Sequence, residues 1–188
     1  MTPSDWSTDG KLILGSCRTR PDSSASVCSL PADIVGSSAS ALRVIASDPG
    51  MNLWVPRFSP NQKWITFLGA DVVDAPTSRV FVAGADGGPW IPITDGQSFD
   101  DKPRWSPDGR TIYFISSQAG GLNVWGRRFD PAAGTPVGDS FRVTSFSGHD
   151  RILPSDISRI EFGVTGDRLF LPITERAGNL WVLDQANR

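Results

Sequence analysis

The chain has 188 residues, a formal net charge of −2, and 39% hydrophobic against 20% charged residues, the balance of an ordinary globular domain with room for a core. Near-neutral charge gives no basis for non-specific binding to nucleic acid or to an anionic membrane surface. No apolar run approaches the roughly 20 residues of a membrane helix, and MTPSDWSTDG lacks the basic and apolar regions of a signal peptide.

In chain order, Ser4–Trp6 reads as a strand, turned by Thr8-Asp9-Gly10 into Lys11–Ser16. Ser26–Leu30 and Leu42–Ala46 follow as third and fourth strands, separated by the polar stretches RPDSSAS and DIVGSSAS. A second set runs Val55–Phe58, Lys63–Leu68, Arg79–Ala83 and Trp90–Thr94, with Asp86-Gly87-Gly88-Pro89 as a turn and 70–78 as a longer insertion. A third runs Lys102–Trp105, Arg110–Ser116, Leu122–Phe129 and Ser140–Ser145, its last two strands linked through 130–138. In that set Ser106-Pro107-Asp108-Gly109 is a sharp turn: Pro presets φ, Asp caps, and Gly takes positive φ. A fourth set, Ser158–Phe162, Asp167–Pro172 and Asn179–Asp184, ends without a fourth strand. No stretch holds a helical period.

The sets are copies of one unit. An aromatic leads each, at Trp6, Phe58, Trp105 and Phe162, spaced by 52, 47 and 57 residues. GGLNVWGRR around Trp125 recurs as AGNLWVLD around Trp181. A four-stranded unit of this length is the signature of a propeller blade. The expectation is an all-β propeller with blades near 3–47, 52–96, 101–147 and 156–186 and 15 strands in all.

PRWSPDGRTIYF, with GGLNVW after it, resembles the TolB-like, WD40-like β-propeller repeat of bacteria. Ser59-Pro60-Asn61 and Ser7-Thr8-Asp9-Gly10 are degenerate copies of its core, and Gly163-Val164-Thr165-Gly166 departs most. The resemblance implies a six- to eight-bladed parent ring of which this is a C-terminal part. It implies a non-catalytic protein- or peptide-interaction or sensor module, periplasmic or otherwise extracytoplasmic. The alternative is the gating propeller of a prolyl oligopeptidase-type hydrolase, or an accessory domain of a protein kinase, with the catalytic domain outside the chain. Open blade edges in a partial ring imply self-association.

The search for chemistry yields little. No G-x-S-x-G elbow occurs, and a Ser-His-Asp arrangement would need His149, the sole histidine, in the polar loop Ser147-Gly148-His149-Asp150. Gly84-Ala85-Asp86-Gly87-Gly88 and Gly120-Gly121 precede strands, so they read as hairpin turns and not as phosphate loops. Asp100-Asp101 is a carboxylate pair, and acids recur at Asp48, Asp95, Asp150 and Asp156, mostly as turn caps. No cofactor is expected, a Ca²⁺ site of Asp and backbone oxygens being the weaker alternative. Cys17 and Cys28 flank the loop 18–27 and read equally as a disulfide or as two buried thiols. Arg57 and Arg104 precede the repeat aromatic. They read as repeat residues that bond neighbouring strands, with a carboxylate-reading role in a channel as the sharper option. The repeat aromatics read as packing between blades. The expected partner is a protein or peptide at the channel mouth, on the face where loops enter each innermost strand. Candidate contacts there are Asn52, Asp101, Lys102, His149, Asp150 and Asp156.

Overall fold

The computed structural model describes residues 1–33, 41–73, 77–146, 151–154, 156–157 and 160–175. Three four-stranded antiparallel meanders come in succession: β1 (Thr2–Trp6), β2 (Leu12–Cys17), β3 (Ser26–Pro31) and β4 (Arg43–Ala46); β5 (Met51–Phe58), β6 (Trp64–Asp71), β7 (Ser78–Gly84) and β8 (Ile91–Pro92); β9 (Asp100–Trp105), β10 (Thr111–Ser116), β11 (Asn123–Asp130) and β12 (Thr135–Arg142). The fourth unit is two two-stranded pieces, β13 (Arg151–Ile152) with β16 (Thr174–Glu175) and β14 (Gly163–Thr165) with β15 (Arg168–Phe170). No α-helix occurs among the described residues.

The turn after each innermost strand is held by one side-chain network. Ser106 Oγ donates to the Asp108 carboxylate, and the amides of Arg110 and Thr111 donate to Asp108 (3.0 Å) and to Ser106 Oγ (2.9 Å). Ser59 and Asn61 repeat it, with Lys63 N to Asn61 at 3.1 Å and Trp64 N to Ser59 Oγ at 3.0 Å. Ser7 and Asp9 do so again, with Lys11 N to Asp9 at 3.0 Å and Leu12 N to Ser7 Oγ at 2.8 Å. These are Asx and hydroxyl turns, in which the side chains give the turn's amides their partners. The residue after that Asp or Asn, namely Gly10, Gln62 or Gly109, takes positive φ (72°, 60° and 68°).

The second and third blades are packed on both faces, so their middle strands split their apolar residues between two neighbours. On β10, Ile112 and Phe114 join Val80, Val82 and Ile93 of the second blade and Trp105 and Phe129 of the third. Ile115 and Tyr113 instead join Val124, Leu153, Ile160 and Phe162 on the side of the fourth unit. Leu14, Val27, Leu53, Ile65 and Phe67 fill the first interface. Trp105 and Trp64 both meet Phe129 edge-on, with centroids 5.4 and 5.6 Å apart, inside the second interface, which is the packing role read for the repeat aromatics.

Several strands differ from expectation. The third blade's outer strand is Thr135–Arg142, not Ser140–Ser145. The connection closes tightly because the Asp130 carboxylate takes the Ala132 amide at 2.8 Å and Gly134 N reaches Asp130 O at 2.7 Å. The Trp90–Thr94 segment keeps only Ile91–Pro92 as strand, since Pro92 has no N–H for the ladder. Ile160–Phe162 is irregular, and the hairpin forms one step later at Gly163–Phe170. Its turn carries no Ser-Asp pair to start it at the expected place. The expected strand Asn179–Asp184 lies outside the described residues.

Candidate functional site

The innermost strands β1, β5 and β9 edge their sheets, and β5 packs against both β1 and β9, so the inner edges converge. β5 and β9 carry a bulge at the same repeat position. Pairing slips between Trp54 and Arg57 on β5, and between Asp101 and Arg104 on β9. Inside each bulge a non-glycine residue before proline takes positive φ: Val55 at 46° and Lys102 at 53°. A β-branched valine there is strained. Arg57 and Arg104 follow two residues after Val55 and Lys102, where regular pairing resumes.

The repeat places one residue before each leading aromatic: Asp5, Arg57, Arg104 and Glu161. The structure gathers these four. Arg57 Nη1 donates to Ser4 O, and the Phe58 amide donates to Asp5 (2.8 Å), tying the first two blades. Arg104 donates from Nε to Phe162 O (3.1 Å), from Nη1 to Pro103 O (2.9 Å) and from Nη2 to Glu161, and its guanidinium lies over the Phe162 ring, 5.5 Å from the centroid. Lys102 Nζ stands 3.4 Å from Glu161, and Arg57 Nη2 4.0 Å. Three cations thus face Glu161, and Asp5 adds its charge to the cluster. Burial, and next the neighbouring Arg57 charge, push the Arg104 guanidinium down from its ordinary value.

A cavity of about 420 Å³ opens beside this cluster, at the end of the strands where the Ser59-Pro60 and Ser106-Pro107 turns lie. Asp5, Arg57 and Arg104 line it together with the rings of Trp6, Phe58 and Trp105. Trp6 is 55% exposed, whereas Trp105 is 8% exposed and donates its indole N–H to Arg57 O (3.3 Å).

Four of the six candidate residues read from sequence are among the described residues, and each has its own surroundings. Asn52 spends its carboxamide oxygen on the Ala25 amide (2.9 Å) and on Arg18 (3.5 Å), stapling the loop before β3 to the second blade. Asp101 and Lys102 are buried in β9, where Asp101 accepts the Lys102 amide. Burial raises the Asp101 carboxyl, opposed first by that amide and then by the Lys102 and Arg104 charges. Asp156 is exposed in the connection between β13 and β14. His149 and Asp150 lie outside the described residues. On the face expected from sequence, a larger apolar cleft of about 610 Å³ lies between Phe99, Leu122 and Phe146 of the third blade and Ile152, Leu153 and Ile157. Sequence reasoning missed Glu161, although its place before Phe162 was the available sign. Cys17 and Cys28, diagonal neighbours on one face of β2–β3, form a disulfide with Cα atoms 6.0 Å apart. Among the described residues, no three His, Cys, Asp or Glu side chains gather as a metal site, and no helix is long and apolar enough to cross a membrane.

Among solved structures, a TolB-type protein of Agrobacterium tumefaciens superposes with a TM-score of 0.63 at 21% identity, over 90% of this chain and 59% of that one. The fold is a TolB-like β-propeller. A prolyl endopeptidase matches at a TM-score of 0.60 and 19% identity, over 90% of this chain and 23% of the other. Puromycin hydrolase matches at 0.56 and 19%, over 76% and 22%. No family model matches the chain. Among curated sequences, an uncharacterized protein of Agrobacterium fabrum is 32% identical over 44% of this chain, and the uncharacterized peptidase YuxL of Bacillus subtilis is 34% identical over 35%. The chain's matched part spans 27% and 10% of the lengths of these two relatives. The TolB-like meander is therefore what the chain shares with these proteins, and a shared fold does not assign an activity.

Proposed function

We propose that this propeller is a non-catalytic module that binds a peptide or protein segment at the inner edges of its blades, in an extracytoplasmic bacterial compartment. The observation that carries the reading is the cavity at the Ser-Pro turns. Its charged groups are fixed on strands, and the exposed Trp6 stands beside them. Rigid cations next to an exposed aromatic are what a recognition site needs, because little is left to order on binding. The disulfide suits an oxidising compartment.

The test is an array of immobilised peptides probed with the purified chain and with its Trp6→Ala variant, each checked by circular dichroism. Peptides bound by the chain are expected to be lost or strongly weakened with the variant. Full retention of every bound peptide by Trp6→Ala would contradict the reading.

The likeness to prolyl endopeptidase and YuxL favours a second reading, in which the propeller serves as the substrate-access part of a hydrolase. An α/β-hydrolase domain encoded next to this segment would support it.

A further inference from the structure

The geometry points to a carboxylate-binding subsite formed by Arg57, Arg104 and Lys102, in which Glu161 acts as an internal placeholder that a ligand carboxylate displaces. This rests on the peptide-binding reading above and names the group that the site would take.

The asymmetry of exposure carries the inference. The side chains of Lys102, Arg104 and Arg57 are 10%, 12% and 26% exposed, while Glu161 is 64% exposed. The cations cannot leave. Arg104 is fastened to Phe162 O and Pro103 O, and Arg57 to Ser4 O. Glu161 can: a rotation about its side-chain bonds takes its carboxylate into water, where it is already mostly hydrated. Buried cations left without an anion would be costly, so the site is built to hold some carboxylate at all times, and nothing in its construction requires that it be Glu161.

Glu161 also fills the site incompletely. It accepts from Arg104 Nη2 and Lys102 Nζ, but Arg57 Nη2 lies 4.0 Å away and Arg57 Nε has no hydrogen-bond partner. Asp5 and Asp101 add charge near the cluster, Asp5 acting on Arg104 and Asp101 on Lys102 and Arg104, but no ion pair joins them to these cations among the described residues: Asp5 accepts the Phe58 amide and Asp101 the Lys102 amide. Planar guanidinium groups from two adjacent blades suit a carboxylate, which accepts two parallel N–H bonds. The cavity lined by Arg57 and Arg104 gives such a group a way in, past Trp6 and Phe58. Two sources share this chemistry, the C-terminal carboxylate of a peptide and an Asp or Glu side chain within one.

Three fluorescein-labelled hexapeptides of one alanine-phenylalanine sequence separate the cases by fluorescence anisotropy: one with a free C-terminal carboxylate, one amidated with an internal Glu, and one amidated and neutral. At least one of the first two is expected to bind about tenfold or more tightly than the neutral peptide, and which one does identifies the source. Glu161→Gln, a change at an exposed side chain, is expected to tighten that binding, because it removes the internal competitor. Arg57→Gln is expected to weaken it, with circular dichroism unchanged. Equal binding of all three peptides, or no tightening by Glu161→Gln, overturns the carboxylate subsite and leaves peptide binding standing. No binding of any peptide to the chain or to Glu161→Gln overturns both.

Discussion

Breaking the Cys17–Cys28 disulfide should remove a large share of the molecule's stability. The two residues are 11 apart in sequence. Both are buried at the middle of the first blade, where Gly15 pairs with Cys28 and Cys17 with Ser26, so the sulfurs share one face of the β2–β3 ladder. A cross-link closing a loop of that length restricts the unfolded chain by about 3 kcal/mol at 25 °C. Against a typical total of roughly 5–15 kcal/mol, that is a fifth or more. The assay is urea unfolding followed by tryptophan fluorescence, with and without a strong reductant equilibrated in the unfolded state. Reduction should lower the midpoint and slightly raise the denaturant slope, because the unfolded ensemble expands. Cys17→Ala/Cys28→Ala should start near the reduced value and ignore reductant. Coincident midpoints for the oxidised and reduced chain would refute the reasoning.

Further expectations follow from the turns, the interfaces and the buried acids. Gly134 sits at φ +69° directly under the Trp64 ring, whose indole N–H donates to Pro131 O at 3.0 Å. Gly134→Ala should therefore cost about 1–3 kcal/mol in urea unfolding by forcing apart the second and third blades. Asp108→Ala deletes two hydrogen bonds of the Ser-Pro-Asp-Gly turn and should cost about 1 kcal/mol, the charged acceptor being exposed. The Ser106 hydroxyl, and after it the Arg110 amide, hold the Asp108 carboxyl below its ordinary 3.8. Its stabilisation is thus complete above 3.8 and is lost as pH falls from there through the lower folded value, a slope that Asp108→Asn should flatten. Asp100 has the opposite sign: burial raises its carboxyl, with the Ser116 and Thr94 hydroxyls opposing. Its contribution is full below 3.8 and is lost as pH rises through the higher folded value, so Asp100→Asn should gain stability relative to the parent chain at neutral pH but not at pH 3.

The fold was legible because the blade is a repeated solution to one packing problem. Trp105 and its counterparts recur at the blade period, and Ser106, Asp108 and Gly109 each have a mechanical reason to sit in the turn. The fourth unit was least legible. Gly163-Val164-Thr165-Gly166 lacks the Ser-Asp pair that fixes where the first hairpin begins, and the strand expected at Ser158–Phe162 gives way to the hairpin that starts at Gly163. The site was only partly legible. Arg57 and Arg104 stood out by their repeat position and do bond neighbouring strands as read. The bulges did not stand out. Positive φ at Val55 and Lys102 runs against both residues' own preferences and is imposed by the packing of the inner strands, with only the following prolines as a sign. Asp101 and Lys102 are buried within β9 at that bulge. The bond of Asn52 to Ala25 was not legible, because the two are distant in sequence.

The central claim is that a peptide binds at the inner edges beside Arg57 and Arg104. The most direct measurement follows the indole N–H resonances of the seven tryptophans while a peptide selected on the array is titrated in. The account predicts the largest shifts at Trp6, which lines the cavity, and Trp105, whose indole is bonded to Arg57 O, with Trp90 and Trp125 nearly still. Largest shifts at Trp90 or Trp125, with Trp6 and Trp105 unmoved, would contradict it.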